Sequence, residues 1–276
     1  MIHVIKLVGG AEGDVVFQPC EGLCMTKRVS FFATCLGDTL FPEIGKCSFQ
    51  LLERLGCEVV FNPKQTCCAQ PLVNSGFQVK AKKSMRNLID ALLDGDCEYI
   101  VAPSGSCVLQ VKEYPSFFKG DLEWETRAET LAGKIREITD FIVNILGVRD
   151  VGAKLKGKAA YHPSCHMTRL LGVKEPPLTL LSNIRDLELV SFLGQDKCCG
   201  FGGAFAVKLG PLSGAMVAEK VDNLAAAGVN YVIGADAGCL MNIDGRIRRQ
   251  GLPIKVLHIV EALTPKEESN RQRGAA

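Results

Sequence analysis

Two vicinal cysteine pairs constrain this 276-residue chain more than any other feature. Cys67-Cys68 lies in Thr66-Cys-Cys-Ala-Gln-Pro71, and Cys198-Cys199 lies in Lys197-Cys-Cys-Gly-Phe-Gly-Gly203. Each pair has one cysteine upstream and one downstream at nearly equal distances. Cys35 precedes Cys67 by 32 positions and Cys165 precedes Cys198 by 33; Cys107 follows Cys68 by 39 and Cys239 follows Cys199 by 40. The segments leading to the last cysteine also align, Tyr-Ile-Val-Ala-Pro-Ser-Gly-Ser-Cys107 against Tyr-Val-Ile-Gly-Ala-Asp-Ala-Gly-Cys239. Four cysteines in matching order and spacing mark an internal duplication, two copies of one structural unit.

Between the cysteines, short apolar runs alternate with helical patterns, the signature of an α/β fold with parallel strands. In the first copy, 29–33, 58–61 and 99–102 read as strands. Helical spacing covers 44–55 and 77–93, and one long helix is expected over 125–146. Gly147–Gly157 reads as the connection between halves. In the second copy, 159–162, 187–190, 231–234 and 254–257 read as strands, and 214–227 and 240–249 as helices. The expected architecture is two tandem Rossmann-like parallel α/β units, 29–152 and 153–264, with cysteine loops at the carboxyl ends of the strands. Residues 1–28 read as an extension, disordered or upstream of a true start at Met25, and 265–276 as a disordered polar tail.

Charge and composition exclude several functions. A net charge of +2 without a basic run gives no case for nucleic acid. No apolar run is long enough to span a bilayer. The start lacks a secretory signal, so the 13 cysteines are read in a reducing, cytoplasmic compartment, where they point to metal or redox chemistry rather than disulfides.

Ligands of open α/β sheets bind beyond the carboxyl ends of the strands. Three loops of each unit therefore bring four thiolates together: Cys35, Cys67, Cys68 and Cys107 in the first, Cys165, Cys198, Cys199 and Cys239 in the second. Four thiolates are the usual complement of a [4Fe–4S] cluster, and one or two such clusters are expected. Zinc is the alternative, but structural zinc sites draw on C-x₂₋₄-C pairs that neither quartet contains. Gly200, Gly202 and Gly203 permit tight turns that aim backbone N–H groups at a cluster. Gly200-Phe-Gly-Gly-Ala-Phe205 is not the dinucleotide fingerprint, because Phe205 stands where its third glycine belongs. Cys47, Cys57 and Cys97 have no counterparts in the repeat and read as small buried apolar residues. Cys20 and Cys24 lie outside it. His166 reads as a hydrogen-bonding neighbour of Cys165, His162 as structural, and Gln70 as either polarising the first site or anchoring its loop. No catalytic constellation is readable.

These motifs resemble the duplicated cysteine-rich CCG domain of iron–sulfur proteins. Phe32-Ala-Thr-Cys-Leu-Gly-Asp38, Ala-Pro-Ser-Gly-Ser-Cys107, Ser-Cys-His-Met167 and the two doublets come closest to the lactate utilisation branch of that family. The resemblance implies a cytoplasmic iron–sulfur, electron-transferring component of a multi-protein L-lactate oxidising system, converting lactate to pyruvate. Its partners would be the other members of that system, among them a ferredoxin-type iron–sulfur protein, because the ferredoxin cysteine run is absent here. A reductase of the heterodisulfide reductase kind, acting at an open cluster, is the alternative; a zinc-stabilised scaffold is a third. The fuller family pattern has a further cysteine where this chain has Ser104 and Asp236. That leaves four-thiolate cubane clusters, or additional oxygen ligation by Ser104 or Asp236. Ala69 also replaces the glycine that follows the second doublet.

Overall fold

The computed structural model describes residues 27–264 in full, together with the backbone of 5–7 and 17–19. The latter form an antiparallel pair, β1 (Ile5–Leu7) and β2 (Phe17–Pro19). Cys20, Cys24, Met25 and the tail 265–276 lie outside the described residues.

The first repeat runs β3 (Arg28–Phe31), α1 (Cys35–Thr39), α2 (Pro42–Arg54), β4 (Glu58–Val60), α3 (Gln70–Asn74), α4 (Gln78–Leu93) and β5 (Tyr99–Ala102). It continues through α5 (Gly105–Lys112), α6 (Tyr114–Phe117), α7 (Leu122–Lys134), β6 (Ile135–Glu137) and α8 (Ile138–Asp140) into a π-helical turn, Phe141–Ile145. The second runs β7 (Lys154–His162), a π-helical turn (His166–Leu170), α9 (Glu175–Ser182), β8 (Arg185–Leu189), α10 (Ala204–Lys208) and α11 (Gly210–Ala226). It ends with β9 (Tyr231–Gly234), α12 (Ala237–Gln250), β10 (Lys255–His258) and α13 (Ile259–Leu263).

Each repeat builds one four-stranded parallel sheet with flanking helices, in the orders β4-β3-β5-β6 and β8-β7-β9-β10. The duplication reaches down to register: Val29 pairs with Tyr99 as Ala159 pairs with Tyr231. In both sheets the chain reverses its direction of travel between the first and third strands of the repeat, β3 and β5 or β7 and β9. This switch point opens the crevice that the cysteine loops occupy. Continuous apolar runs such as Tyr-Ile-Val-Ala102 suit strands covered on both faces, and Ile100, Val101 and Ala102 are fully buried. Helix α2 starts at Pro42, whose fixed φ suits a first helical position, and buries Ile44, Ser48, Leu51 and Leu52 at helical spacing.

The long helix expected over 125–146 is broken. Helix α7 stops at Lys134, and Ile135–Glu137 pairs with β5 as the edge strand of the first sheet. The apolar positions Leu131, Ile135, Ile138 and Phe141 keep helical spacing across the break, so periodicity alone does not show it. Glu137 restarts the helix by accepting from the backbone N–H groups of Thr139 (2.8 Å) and Asp140 (3.2 Å). His258 does the same after β10, its Nδ1 accepting from Val260 N at 3.3 Å. The expected connection is also shorter than Gly147–Gly157, because β7 begins at Lys154 and bulges before Gly157.

The repeats share a core. Phe31, Leu51, Leu52 and Phe141 from the first pack in one buried cluster with Leu180, Leu181, Ile259 and Leu263 from the second. The end of each repeat crosses to the other: α13 packs on α2, and the Phe141–Ile145 turn packs on α9. Arg54 seals the first crossing by donating to the carbonyls of Val151 (3.2 Å) and Leu263 (3.1 Å). Fully burying each such side chain is worth about 1.5–3 kcal/mol, so the repeats fold against one another rather than as beads. Among the described residues, no helix is long and apolar enough to cross a membrane.

Candidate metal centres

Both quartets assemble in the same way. Cys35 opens α1 directly after β3, and Cys165 leads into a π-helical turn directly after β7. Cys107 and Cys239 each occupy the third position of a helix, α5 and α12, following β5 and β9. The doublets lie in the loops after β4 and β8. Helix N-termini thus direct unpaired backbone N–H groups, with their partial positive charge, towards sulfur.

In the first repeat, Cys35 Sγ lies 3.5 Å from Cys67 Sγ, and Cys68 Sγ lies 3.6 Å from Cys107 Sγ. A single tetrahedral zinc with Zn–S bonds of about 2.3 Å would hold all its sulfurs about 3.8 Å apart. Adjacent pairs meet that spacing. Yet among the described residues no three cysteine sulfurs all lie within 4.8 Å of one another. Each quartet is therefore a chain of thiols in contact, a donor set suited to a metal or iron–sulfur group.

The thiols cannot all ionise side by side. A hydrogen bond from Cys35, then one from Cys68, holds Cys67 down to about 3, with the Ala69 N–H also contributing. Cys198 is held down to about 2, chiefly by Cys165 and then by Cys199. The partners move the other way. Bonding to Cys67, then burial, raises Cys35; bonding to Cys107, then to Cys67, raises Cys68. Cys165 and Cys199 rise through their bonds to Cys198. Without a cation the thiols of each array share protons through these contacts, and loading metal must release protons.

The doublet turns are nearly superposable in conformation. Ala69 has φ 65° where Gly200 has φ 79°, so the alanine adopts the left-handed turn that glycine takes in the other copy. Only glycine fits in the second: a Cβ on Gly200 would lie 2.9 Å from Ser213 O and 3.0 Å from Met216 Cβ. Thr34, next to Cys35, has φ 65°, a strained position for a β-branched residue and one found most often at functional sites. The doublet carbonyls are also fixed. Tyr114 Oη donates to Cys68 O at 2.9 Å, Ser84 Oγ to Cys67 O at 2.8 Å, and Asn242 Nδ2 to Cys199 O at 2.8 Å.

Ser104 and Asp236 meet at the seam between repeats. Ser104 Oγ caps α5 by accepting from Cys107 N (3.4 Å) and donates to Asp236 Oδ2 (3.4 Å). The same carboxylate oxygen accepts from Ser106 N at 3.1 Å. Asp236 therefore serves the helix N-terminus of the opposite repeat, while its own α12 has no side-chain cap. Gln70 Nε2 anchors its loop to Ser106 O at 3.2 Å, and His166 Nδ1 lies 3.6 Å from Cys165 Sγ. Cys57 and Cys97 are buried and Cys47 is half-buried, in keeping with small apolar side chains.

Sequence reading passes over two buried residues at the second site. His162, read as structural, places a ring nitrogen within 4.8 Å of both Cys199 and Cys239 sulfurs. Burial lowers its pKa to about 3. Lys220 is 2% exposed; its ammonium donates to Gly194 O (3.0 Å) and Gln195 O (3.3 Å), and faces the thiols of Cys199, Cys198 and Cys239. Their signal lies in the repeat itself, since the matching positions of the first copy, Phe32 and Leu88, are apolar.

Comparison with known proteins agrees with the duplicated site. The CCG cysteine-rich domain matches twice, over residues 29–112 and 159–244. "Lactate utilization protein A" of Geobacillus sp. (strain WCH70) is 54% identical over 87% of this chain and 100% of its own length. "Uncharacterized protein YkgE" of Escherichia coli (strain K12) is 52% identical over 86% of this chain and 98% of its own. A solved structure, a hypothetical protein from Helicobacter pylori, shares the fold with a TM-score of 0.56 at 11% identity, covering 88% of this chain and 50% of that one. With both repeats matched and relatives similar along nearly their whole length, the chain belongs to the CCG cysteine-rich domain family, with lactate utilization A proteins among its relatives.

Proposed function

We propose that this protein is a cytoplasmic iron–sulfur electron-transfer component of a multi-protein system that oxidises L-lactate to pyruvate. The single observation that carries the cofactor is the convergence, in each repeat, of four thiols from three strand-end loops. Cys35, Cys67, Cys68 and Cys107 would hold one [4Fe–4S] cluster, and Cys165, Cys198, Cys199 and Cys239 would supply the thiolates of a second, with Ser104 and Asp236 as additional oxygen donors. When bound, such a cluster takes up and gives back single electrons. The remaining residues serve the site: helix N-termini and Lys220 offset its negative charge, and Tyr114, Ser84 and Asn242 hold the doublet backbones in place. The names of the relatives support the lactate pathway. Oxidising lactate to pyruvate releases two electrons and two protons, and removal of hydrogen from the substrate is assigned to a partner, with a ferredoxin-type protein among the other components.

Anaerobic purification followed by iron and sulfide assay and EPR tests this reading. Iron and sulfide in comparable amounts are expected, and a colourless, zinc-loaded protein would refute it. A second reading, reduction of a small substrate at an open cluster, draws on a cavity of about 310 Å³ beside Cys198, lined by Arg169, Lys220 and the Lys197–Glu219 ion pair. Lactate oxidation by the isolated chain, without partner proteins, would count against the electron-transfer reading and for a site of this kind.

A further inference from the structure

The repeats agree in cysteine order, strand register and helix starts, which makes their differences informative. Three positions before its first cysteine, the first repeat has Phe32 and the second His162; both are 1% exposed. Eleven positions before the tyrosine that begins β5 or β9, the first has Leu88 and the second Lys220. The first site is thus backed by two hydrocarbon side chains and the second by an imidazole and an ammonium. Among the described residues, neither nitrogen of His162 has a hydrogen-bond partner. Leaving a buried polar group unpaired costs about 1–3 kcal/mol, so the ring calls for a partner that the polypeptide does not supply. It points at the sulfurs of Cys199 and Cys239, within 4.8 Å of each. The other buried histidine among the described residues, His258, is fully used: its Nε2 lies 3.0 Å from Pro103 O and its Nδ1 caps α13.

We propose that His162 supplies a nitrogen ligand to the metal centre of the second repeat in place of one of its four cysteine thiolates, so that the protein carries two unlike centres, one held by thiolates alone and one by thiolates and an imidazole. The inference rests on the iron–sulfur reading above. A neutral imidazole standing in for a thiolate leaves the centre with one negative charge fewer, and such replacement raises the potential of iron–sulfur centres relative to all-cysteine ones. The buried Lys220 ammonium acts in the same direction. The second centre is therefore the one reduced first, and electrons arriving at the first centre run towards it.

The test is pulsed EPR on the full-length protein reconstituted anaerobically with iron and sulfide, with and without ¹⁵N-labelled histidine. A nitrogen hyperfine coupling that changes on labelling is expected in wild type and in His166→Ala, and its loss is expected in His162→Phe and His162→Cys. The cysteine variant supplies a replacement ligand if the phenylalanine variant folds poorly, and far-UV circular dichroism checks both. In a redox titration the wild type should show two potentials, with the higher one shifted downward in His162→Cys. Iron-loaded wild type without histidine coupling, or coupling that survives both His162 substitutions, overturns the proposal and leaves the iron–sulfur reading standing. A protein that binds no iron overturns both.

Discussion

Glu137 offers a quantitative test of the edge strand that interrupts the expected long helix. Its carboxyl is 1% exposed; one oxygen caps α8, and the other has no partner among the described residues. Burial raises its pKa from 4.5 to about 7, against the opposing pull of the Thr139 hydroxyl and the Asp140 and Thr139 amides. The folded protein therefore holds this proton more tightly than the unfolded chain. The resulting stabilisation is complete below about pH 4.5 and is lost as pH rises through about 7. A gap of this size is worth about 3 kcal/mol, most of which falls between pH 5 and pH 8. Glu137→Gln removes the titration. The amide oxygen can still accept from Thr139 and Asp140, but a buried NH₂ group is left unpaired, costing about 1–3 kcal/mol at pH 5. By pH 8 that deficit should have closed or reversed. Urea denaturation of wild type and variant at both pH values, under reducing conditions and with metal loading matched, measures the difference directly. Parallel pH profiles for the two proteins would refute the assignment of a buried, proton-holding cap at this position.

Two further outcomes probe the cysteine loops. Gly200→Ala combines strain of about 1–3 kcal/mol at φ 79° with a Cβ that crowds Ser213 and Met216 at a cost of about 1–3 kcal/mol; stability falls by about 2–6 kcal/mol in urea denaturation. Metal is lost from the second repeat first, which EPR of the loaded protein would show. Asp236→Ala leaves Ser106 N without its acceptor across the seam and costs about 2 kcal/mol, whereas Asp236→Asn keeps an acceptor and costs less, a ranking that equilibrium denaturation can check.

Much of this arrangement is legible in the cysteine arithmetic. Equal spacings imply equal strand ends, and strands 99–102 and 231–234 appear where two aligned apolar runs place them. The short helices carrying Cys35 and Cys107 escape, and the helix expected over 240–249 starts three residues earlier and so takes in Cys239, because these first turns are rich in glycine, serine and other small residues and read as loop. The strand Ile135–Glu137 escapes for a different reason. The first repeat inserts α6 and α7 before it, so Cys107 to Ile135 spans 28 positions where Cys239 to Lys255 spans 16, and the repeat no longer aligns there. In the sequence Asp236 reads as a ligand to its own site, but its bonds to Ser104 and Ser106 run across a seam that only the shared core creates. His162 taken alone reads as structural; its contrast with Phe32 is the signal.

The central claim is that each repeat holds its own polynuclear iron–sulfur centre through its own cysteines. Iron and sulfide analysis of anaerobically prepared wild type beside Cys68→Ser and Cys199→Ser tests it most directly. Each variant is expected to lose the EPR signal of one centre and about half the iron while keeping the other centre intact. Loss of both centres in either variant, or a wild-type protein holding zinc without sulfide, would contradict it.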